Sequence, residues 1–188
     1  MKHQEQKLAA GKSMALSDIP TLRKRARQNI EEGAVTTGYA ADRKAVIKLL
    51  NEALATELVC VLRYKRHFFM AKGIHADPVK AEFEAHASEE MAHADRLAKR
   101  IVELGGSPNF SPVGISERSH AEYVEGDTLN SMIKENLIAE RIAVESYREM
   151  IAYLATHDPT TQKMLKDILA MEEEHADDLS SLLEGMKS

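Results

Sequence analysis

The stretch EEMAHADRL, residues 89–97, is answered near the end of the chain by EEEHADDL, residues 172–179. Both contain Glu-x-x-His-Ala-Asp-x-Leu, which places Glu90 with His93 and Glu172 with His175. Residues three apart share one face of a helix, so each pair points in one direction. One such pair is common on helices and carries little information. Two of them, set about eighty residues apart, ask whether they are halves of one site.

The surrounding sequence supplies the helices. Of 188 residues, 44% are hydrophobic, Trp is absent, and there are 5 Pro and 9 Met. This composition suits long helices and gives few strand or hairpin signals. The expected fold is all-α. From Ala41 to Lys72 an uninterrupted helical pattern runs to Gly73. Asp77-Pro78 then reads as N-cap and first helical residue of a second helix that ends at Gly105-Gly106. A third helix is predicted from Asp127 to about His157, and Asp158-Pro159 starts a fourth that runs to about Gly185. Between the two hairpins lie about twenty residues rich in Gly, Ser and Pro, GGSPNFSPVGISERSHAEYVEGD. A connection that long fits a crossover along a bundle, the arrangement of two antiparallel hairpins in a ferritin-like four-helix bundle.

Within that frame Glu57 and Glu90 flank the first turn, and Glu140 and Glu172 flank the second, at separations of 33 and 32 residues. All four acids are therefore expected at one level. Glu57, in ALATELVCVL, and Glu140, in NLIAERIAV, stand in apolar runs where an uncompensated carboxylate costs several kcal/mol. Two divalent cations balance four carboxylates. Carboxylate with imidazole suits iron or manganese better than a structural zinc, which favours thiolates. One Glu from each of two helices plus Glu-x-x-His from each of the other two is the dinuclear carboxylate pattern of helical bundles.

Glu57, Tyr64, EEMAHADRLAKRIVELGGSPN (89–109), Glu140 and ILAMEEEHADDL (168–179) together resemble the bacterioferritin branch of the ferritin-like family, over about residues 44–185. The resemblance implies a ferroxidase and iron-storage shell subunit acting on Fe(II) with O2 or H2O2. Glu57 and His93 would hold one iron, Glu140 and His175 the other, and Glu90 and Glu172 would bridge them; zinc or manganese can substitute. Tyr64 resembles the family tyrosine beside the iron centre, its hydroxyl within reach of a ligand carboxylate. Tyr147 stands at the equivalent place after Glu140, where a packed, hydrogen-bonded tyrosine is the competing reading. Met91 occupies the place of the haem-ligating methionine, so haem b is an alternative cofactor, although one residue beyond Glu90 the side chain turns about 100° away from the site. His86, one turn before Glu90, reads as a surface or packing histidine, with a supporting role at the site or on an iron access route as the alternative. Two departures from bacterioferritin stand out: thirteen residues follow His175, too few for a fifth helix, and about forty precede the first bundle helix. Both resemble the dodecameric Dps-like ferritins, so a homo-oligomeric shell of twelve is expected over one of twenty-four.

The leading segment is read as a basic arm, residues 1–40, before the bundle at 41–188. Residues 1–50 carry ten Lys/Arg against five Asp/Glu, whereas the whole chain has a formal charge of −5. Leu22, Ala26 and Ile30 share a stripe that predicts an amphipathic helix over about 19–32. Its cations serve a solvated face, a subunit contact or DNA, the last giving a Dps-like DNA-protecting shell as one alternative function. A di-iron or di-manganese peroxidase or catalase on the same bundle is the other. The single cysteine, Cys60, excludes an intrachain disulfide and reads as a buried thiol in a cytoplasmic protein. No apolar run resembles a signal peptide or reaches membrane-spanning length.

Overall fold

The computed structural model describes residues 16–186. The chain divides into two compact units after Gly38. In the first, α1 (Ile19–Arg25) is capped by Asp18, whose side chain accepts from the Thr21 amide at 2.7 Å, with Pro20 in the first turn. The predicted helix over 19–32 is thus cut short. Asn29 adopts a left-handed conformation (φ 49), which a short polar side chain tolerates, and only a 3-10 turn, Ile30–Glu32, follows. Residues 1–15, which include Lys2, Lys7 and Lys12 of the basic arm, lie outside the described residues, as do 187 and 188.

The second unit is built from α2 (Arg43–Met70), α3 (Ala76–Glu103), the short α4 (Ile115–Arg118), α5 (Leu129–Leu154) and α6 (Pro159–Gly185). The described residues contain no strand. α2 packs on α3 and α5 on α6, and the two hairpins meet through α2 against α5 and α3 against α6. This is a ferritin-like four-helix bundle. No described helix is long and apolar enough to cross a membrane.

Local chemistry sets the boundaries. Asp158 caps α6 through the Thr161 amide, with Pro159 as the first helical residue. α5 starts at Leu129 rather than Asp127, because Thr128 and Ser131 bond reciprocally as a capping box. α3 begins at Ala76, ahead of the predicted Asp77 cap. The α2–α3 hairpin turns at Gly73, where φ is 110. At Gly106 a Cβ would meet Ile47 Cγ2 at 2.8 Å, so glycine lets the end of the first hairpin close onto α2.

The crossover lies along α2 and is strapped to it at successive levels. The His120 amide donates to Thr56 Oγ1 at 2.9 Å, Arg63 donates to the Glu122 carbonyl at 2.8 Å, and His67 Nε2 lies 2.9 Å from the Glu125 carbonyl. From Thr56 to His67 the helix rises about 16 Å, so the connection runs up the bundle and delivers α5 antiparallel to α2. Arg63 is fully buried, its charge met by Asn136 Oδ1 at 2.9 Å and by the Glu122 carbonyl. Cys60 beside it is a buried free thiol, pushed up by burial away from thiolate formation.

Candidate metal centre

Midway along the bundle the six residues singled out by sequence come together, each 2% exposed or less: Glu57 from α2, Glu90 and His93 from α3, Glu140 from α5, Glu172 and His175 from α6. They form two overlapping donor sets. One comprises Glu57, Glu90, His93 and Glu172; the other comprises Glu90, Glu140, Glu172 and His175; within each set the ligand atoms lie within 4.8 Å of one another. Glu90 and Glu172 belong to both sets, which is the position of a bridge.

The imidazoles present Nδ1 inward. His93 Nδ1 lies 2.9 Å from Glu172 Oε1, 3.4 Å from Glu90 Oε2 and 3.6 Å from Glu57 Oε2. His175 Nδ1 lies 3.6 Å from Glu90 Oε1, 3.8 Å from Glu140 Oε2 and 3.9 Å from Glu172 Oε2. Their outer nitrogens are held differently: His93 Nε2 meets Met171 Sδ at 3.4 Å, and His175 Nε2 meets Glu89 Oε2 at 2.7 Å. A partner on the far nitrogen fixes ring orientation and leaves the near nitrogen free to ligate.

Two tyrosines cross between hairpins. Tyr64 on α2 donates to Glu140 Oε1 on α5, and Tyr147 on α5 donates to Glu57 Oε1 on α2. Both phenols are buried and raised well above their usual range by burial and by the surrounding carboxylates, so they stay protonated as donors. Tyr147 is thus tied to a site acid rather than merely packed. Met91 lies on the outer face of α3, 40% exposed and turned away from the cluster.

Fit to metal is tested by what the acids and imidazoles lack. Among the described residues, ten buried side-chain N and O atoms have no hydrogen bond of good geometry, and seven of these are Glu90 Oε1 and Oε2, His93 Nδ1, Glu140 Oε2, Glu172 Oε1 and Oε2, and His175 Nδ1. Buried polar atoms are normally paired. Here the unpaired atoms fall into the two donor sets, which two cations would satisfy.

Charge in the metal-free cluster is balanced by protons. Burial, with the neighbouring charge of Glu90, pushes Glu57 and Glu172 well above the usual carboxylate range. Glu90 moves the other way: burial opposes its ionisation but is outweighed by the proton-bearing Glu57, His175 and His93 side chains that face it. Burial alone would lower both histidines. The carboxylates overcome it, raising His93 to about 9 through Glu57 and Glu90 and His175 to about 11 through Glu140 and Glu90.

Sequence reasoning missed Glu89 and Met171, which sit one residue before Glu90 and Glu172 and hold the histidines from behind. It also placed His86 on the surface or in ordinary packing. His86 is buried beside the centre, its ring stacked on His175 at 4.0 Å between centroids and its Nδ1 3.1 Å from the Tyr64 hydroxyl.

A helical bundle with carboxylates and imidazoles converging from four helices defines the class, and comparison with known proteins places the chain within it. Residues 47–188 match the ferritin-like domain, and the protein belongs to the ferritin-like family. A bacterioferritin of Mycobacterium tuberculosis is 32% identical over 142 residues, spanning 75% of this chain and 85% of the relative. A bacterioferritin of Rhodobacter capsulatus is 31% identical over 140 residues, spanning 72% and 81%. Among solved structures, the dodecameric thioferritin of Bacteroides fragilis, a bacterioferritin-related protein, superposes with a TM-score of 0.76 at 34% identity, covering 79% of this chain and 89% of that one. Dps from Thermosynechococcus elongatus shares the fold with a TM-score of 0.72 at 22% identity, covering 74% and 90%.

Proposed function

We propose that this chain is a subunit of a closed homo-oligomeric shell that oxidises Fe(II) at a dinuclear centre within each subunit and stores the ferric product inside. The observation that carries this reading is the convergence of seven unpaired buried donor atoms in one chain. Glu57 and His93 would hold one ion, Glu140 and His175 the other, with Glu90 and Glu172 shared between the two donor sets. Bound as a pair, two Fe(II) ions supply two electrons together to dioxygen or to hydrogen peroxide.

The protein's contribution is electrostatic and positional. Anionic oxygen donors favour the ferric state over the ferrous, so the carboxylates draw the reaction forward. Tyr64 and Tyr147 hold Glu140 and Glu57 at fixed rotamers, and Glu89 and Met171 fix the two imidazole rings. The protons on His93, His175, Glu57 and Glu172 leave as metal enters. A dodecameric assembly is supported by the likeness to the Bacteroides fragilis shell protein, and a cytoplasmic location fits the single buried thiol.

The test is stopped-flow oxidation of Fe(II) by the metal-free shell. Rapid oxidation saturating at two Fe(II) per subunit is expected, with Glu172→Ala losing the rapid phase while keeping its helical content and assembly. An unchanged rate in that variant would refute the bridging role.

A further inference from the structure

The bundle has an internal two-fold relation that makes its asymmetries conspicuous. His93 corresponds to His175, Glu90 to Glu172 and Tyr147 to Tyr64. Around His93, the side chains four and eight residues before Glu172 are Ile168 and Met164, the one immediately before it is Met171, and the residue three after His93 is Arg96. Around His175, the corresponding side chains are His86, Glu82, Glu89 and Asp178. One flank of the centre is apolar or cationic. The other carries three acids and a histidine.

On that acidic flank a chain of polar groups runs outward. Tyr64 spends its single proton on Glu140 Oε1, so the contact of 3.1 Å between the Tyr64 oxygen and His86 Nδ1 requires Nδ1–H to be the donor. In the neutral imidazole this places the free lone pair on Nε2. That nitrogen, on a residue 2% exposed, makes no hydrogen bond to a described residue. It faces Glu82 Oε2 at 3.7 Å and Asp178 Oδ2 at 3.8 Å, whose side chains are 42% and 48% exposed.

These separations decide what belongs between them. A direct charge-assisted bond from an imidazolium would close to about 2.7–2.9 Å. Two donors held at about 2.1 Å around one tetrahedral ion stand about 3.4 Å apart, nearer to the spacing seen here. The ligand atoms of Glu82, His86 and Asp178 lie within 4.8 Å of one another. Both carboxylates also line a cavity of about 390 Å³ bordered by His75 and Met186, which leaves room for water ligands.

We propose that Glu82, His86 Nε2 and Asp178 form a third divalent-cation site, outside the dinuclear pair and reached from the surface. It goes beyond the dinuclear reading, on which it rests only in taking His175 and Glu140 as inner ligands. Two carboxylates and one imidazole make a borderline-hard set suited to Fe(II), Mn(II) or Zn(II). The ion sits where the inner pair can be replenished: His86 stacks on His175, and beyond His86 the Tyr64 hydroxyl reaches Glu140. The flank with Ile168, Met164 and Arg96 offers no such ligands.

The test is Zn(II) binding to the assembled full chain, counted by equilibrium dialysis and by calorimetry, for the native sequence and for the double variant Glu82→Gln, Asp178→Asn. Both substituted side chains are partly exposed and nearly isosteric with their replacements, so folding and assembly are retained. Three ions per subunit are expected for the native chain and two for the variant. A deficit of one ion in the variant supports the third site whatever the absolute number, and equal counts overturn it. The variant's own count tests the dinuclear centre separately, because fewer than two ions there would sink that reading without touching the difference.

Discussion

Loading the metal-free centre with two divalent ions should expel four protons per subunit. The number follows from the charges: four carboxylates, Glu57, Glu90, Glu140 and Glu172, bring −4 into a site where an unbalanced charge is costly. His93 at about 9 and His175 at about 11 are both imidazolium at pH 7 and return +2. Glu57 and Glu172, pushed upward by burial and by the charge of Glu90, keep the remaining two protons. Two divalent cations restore the same neutrality with all four protons gone. The product of the two binding constants then rises about 10⁴-fold per pH unit near neutrality, about 5.4 kcal/mol at about 1.36 kcal/mol for each proton. Calorimetry with Zn(II) in buffers of different ionisation enthalpy gives the proton count directly. Using the Glu82→Gln, Asp178→Asn variant confines the measurement to the inner pair. The two imidazoliums alone account for two protons, so a count below two would refute the charge scheme.

Thermal stability of the metal-free protein should fall as pH rises. Both histidines have folded values above the ordinary 6.5, so their stabilisation is complete below that pH and is lost as pH climbs through about 9 and then about 11, on the order of 6 kcal/mol between pH 7 and 10; a melting temperature unchanged between pH 7 and 10 in chelator would contradict this. Tyr147→Phe and Tyr64→Phe each remove a bond to a buried carboxylate, and urea denaturation should show a loss of about 1.5–3 kcal/mol for each with two inner ions still bound. A loss under 0.5 kcal/mol, on the order of a surface change, would mean that the crossed bonds contribute little. Native mass spectrometry should give about 250 kDa for twelve copies of the 20.9 kDa chain, and a mass of twenty-four would reject that shell. Deleting residues 1–38 should weaken the dodecamer if the basic arm serves subunit contacts; an intact shell that has lost salt-sensitive DNA retention would assign the arm to DNA instead.

The six acids and imidazoles were legible because burial of charge is conspicuous in sequence. Glu57 and Glu140 interrupt apolar runs, and Glu-x-x-His at 90–93 and 172–175 fixes a shared face without reference to any other helix. The start of α6 at Asp158-Pro159 was equally local. What escaped was whatever depends on which side chain lies opposite. Glu89 and Met171 look like solvent-facing neighbours of Glu90 and Glu172 until α3 and α6 are set side by side, when they reach His175 and His93 across the interface. Arg63 reads as a surface cation until the crossover covers it and Asn136 accepts from it. His86 acquires its meaning from Tyr64 on another helix. The capping box of Thr128 and Ser131 departs from the usual acidic third residue, and the helix start was placed two residues early for that reason.

The crossed tyrosine bonds make the two hairpins depend on each other. Each hairpin alone carries two of the carboxylates and one of the imidazoles, and each tyrosine finds its acceptor only on the opposite hairpin. A first hairpin without the second leaves Glu57 unclasped and holds only part of either donor set. Displacement of one hairpin along the other by a single turn, about 5.4 Å, breaks both clasps together, so the docked arrangement has one register. Both clasps and the complete donor sets therefore exist only where the two hairpins are docked in that register.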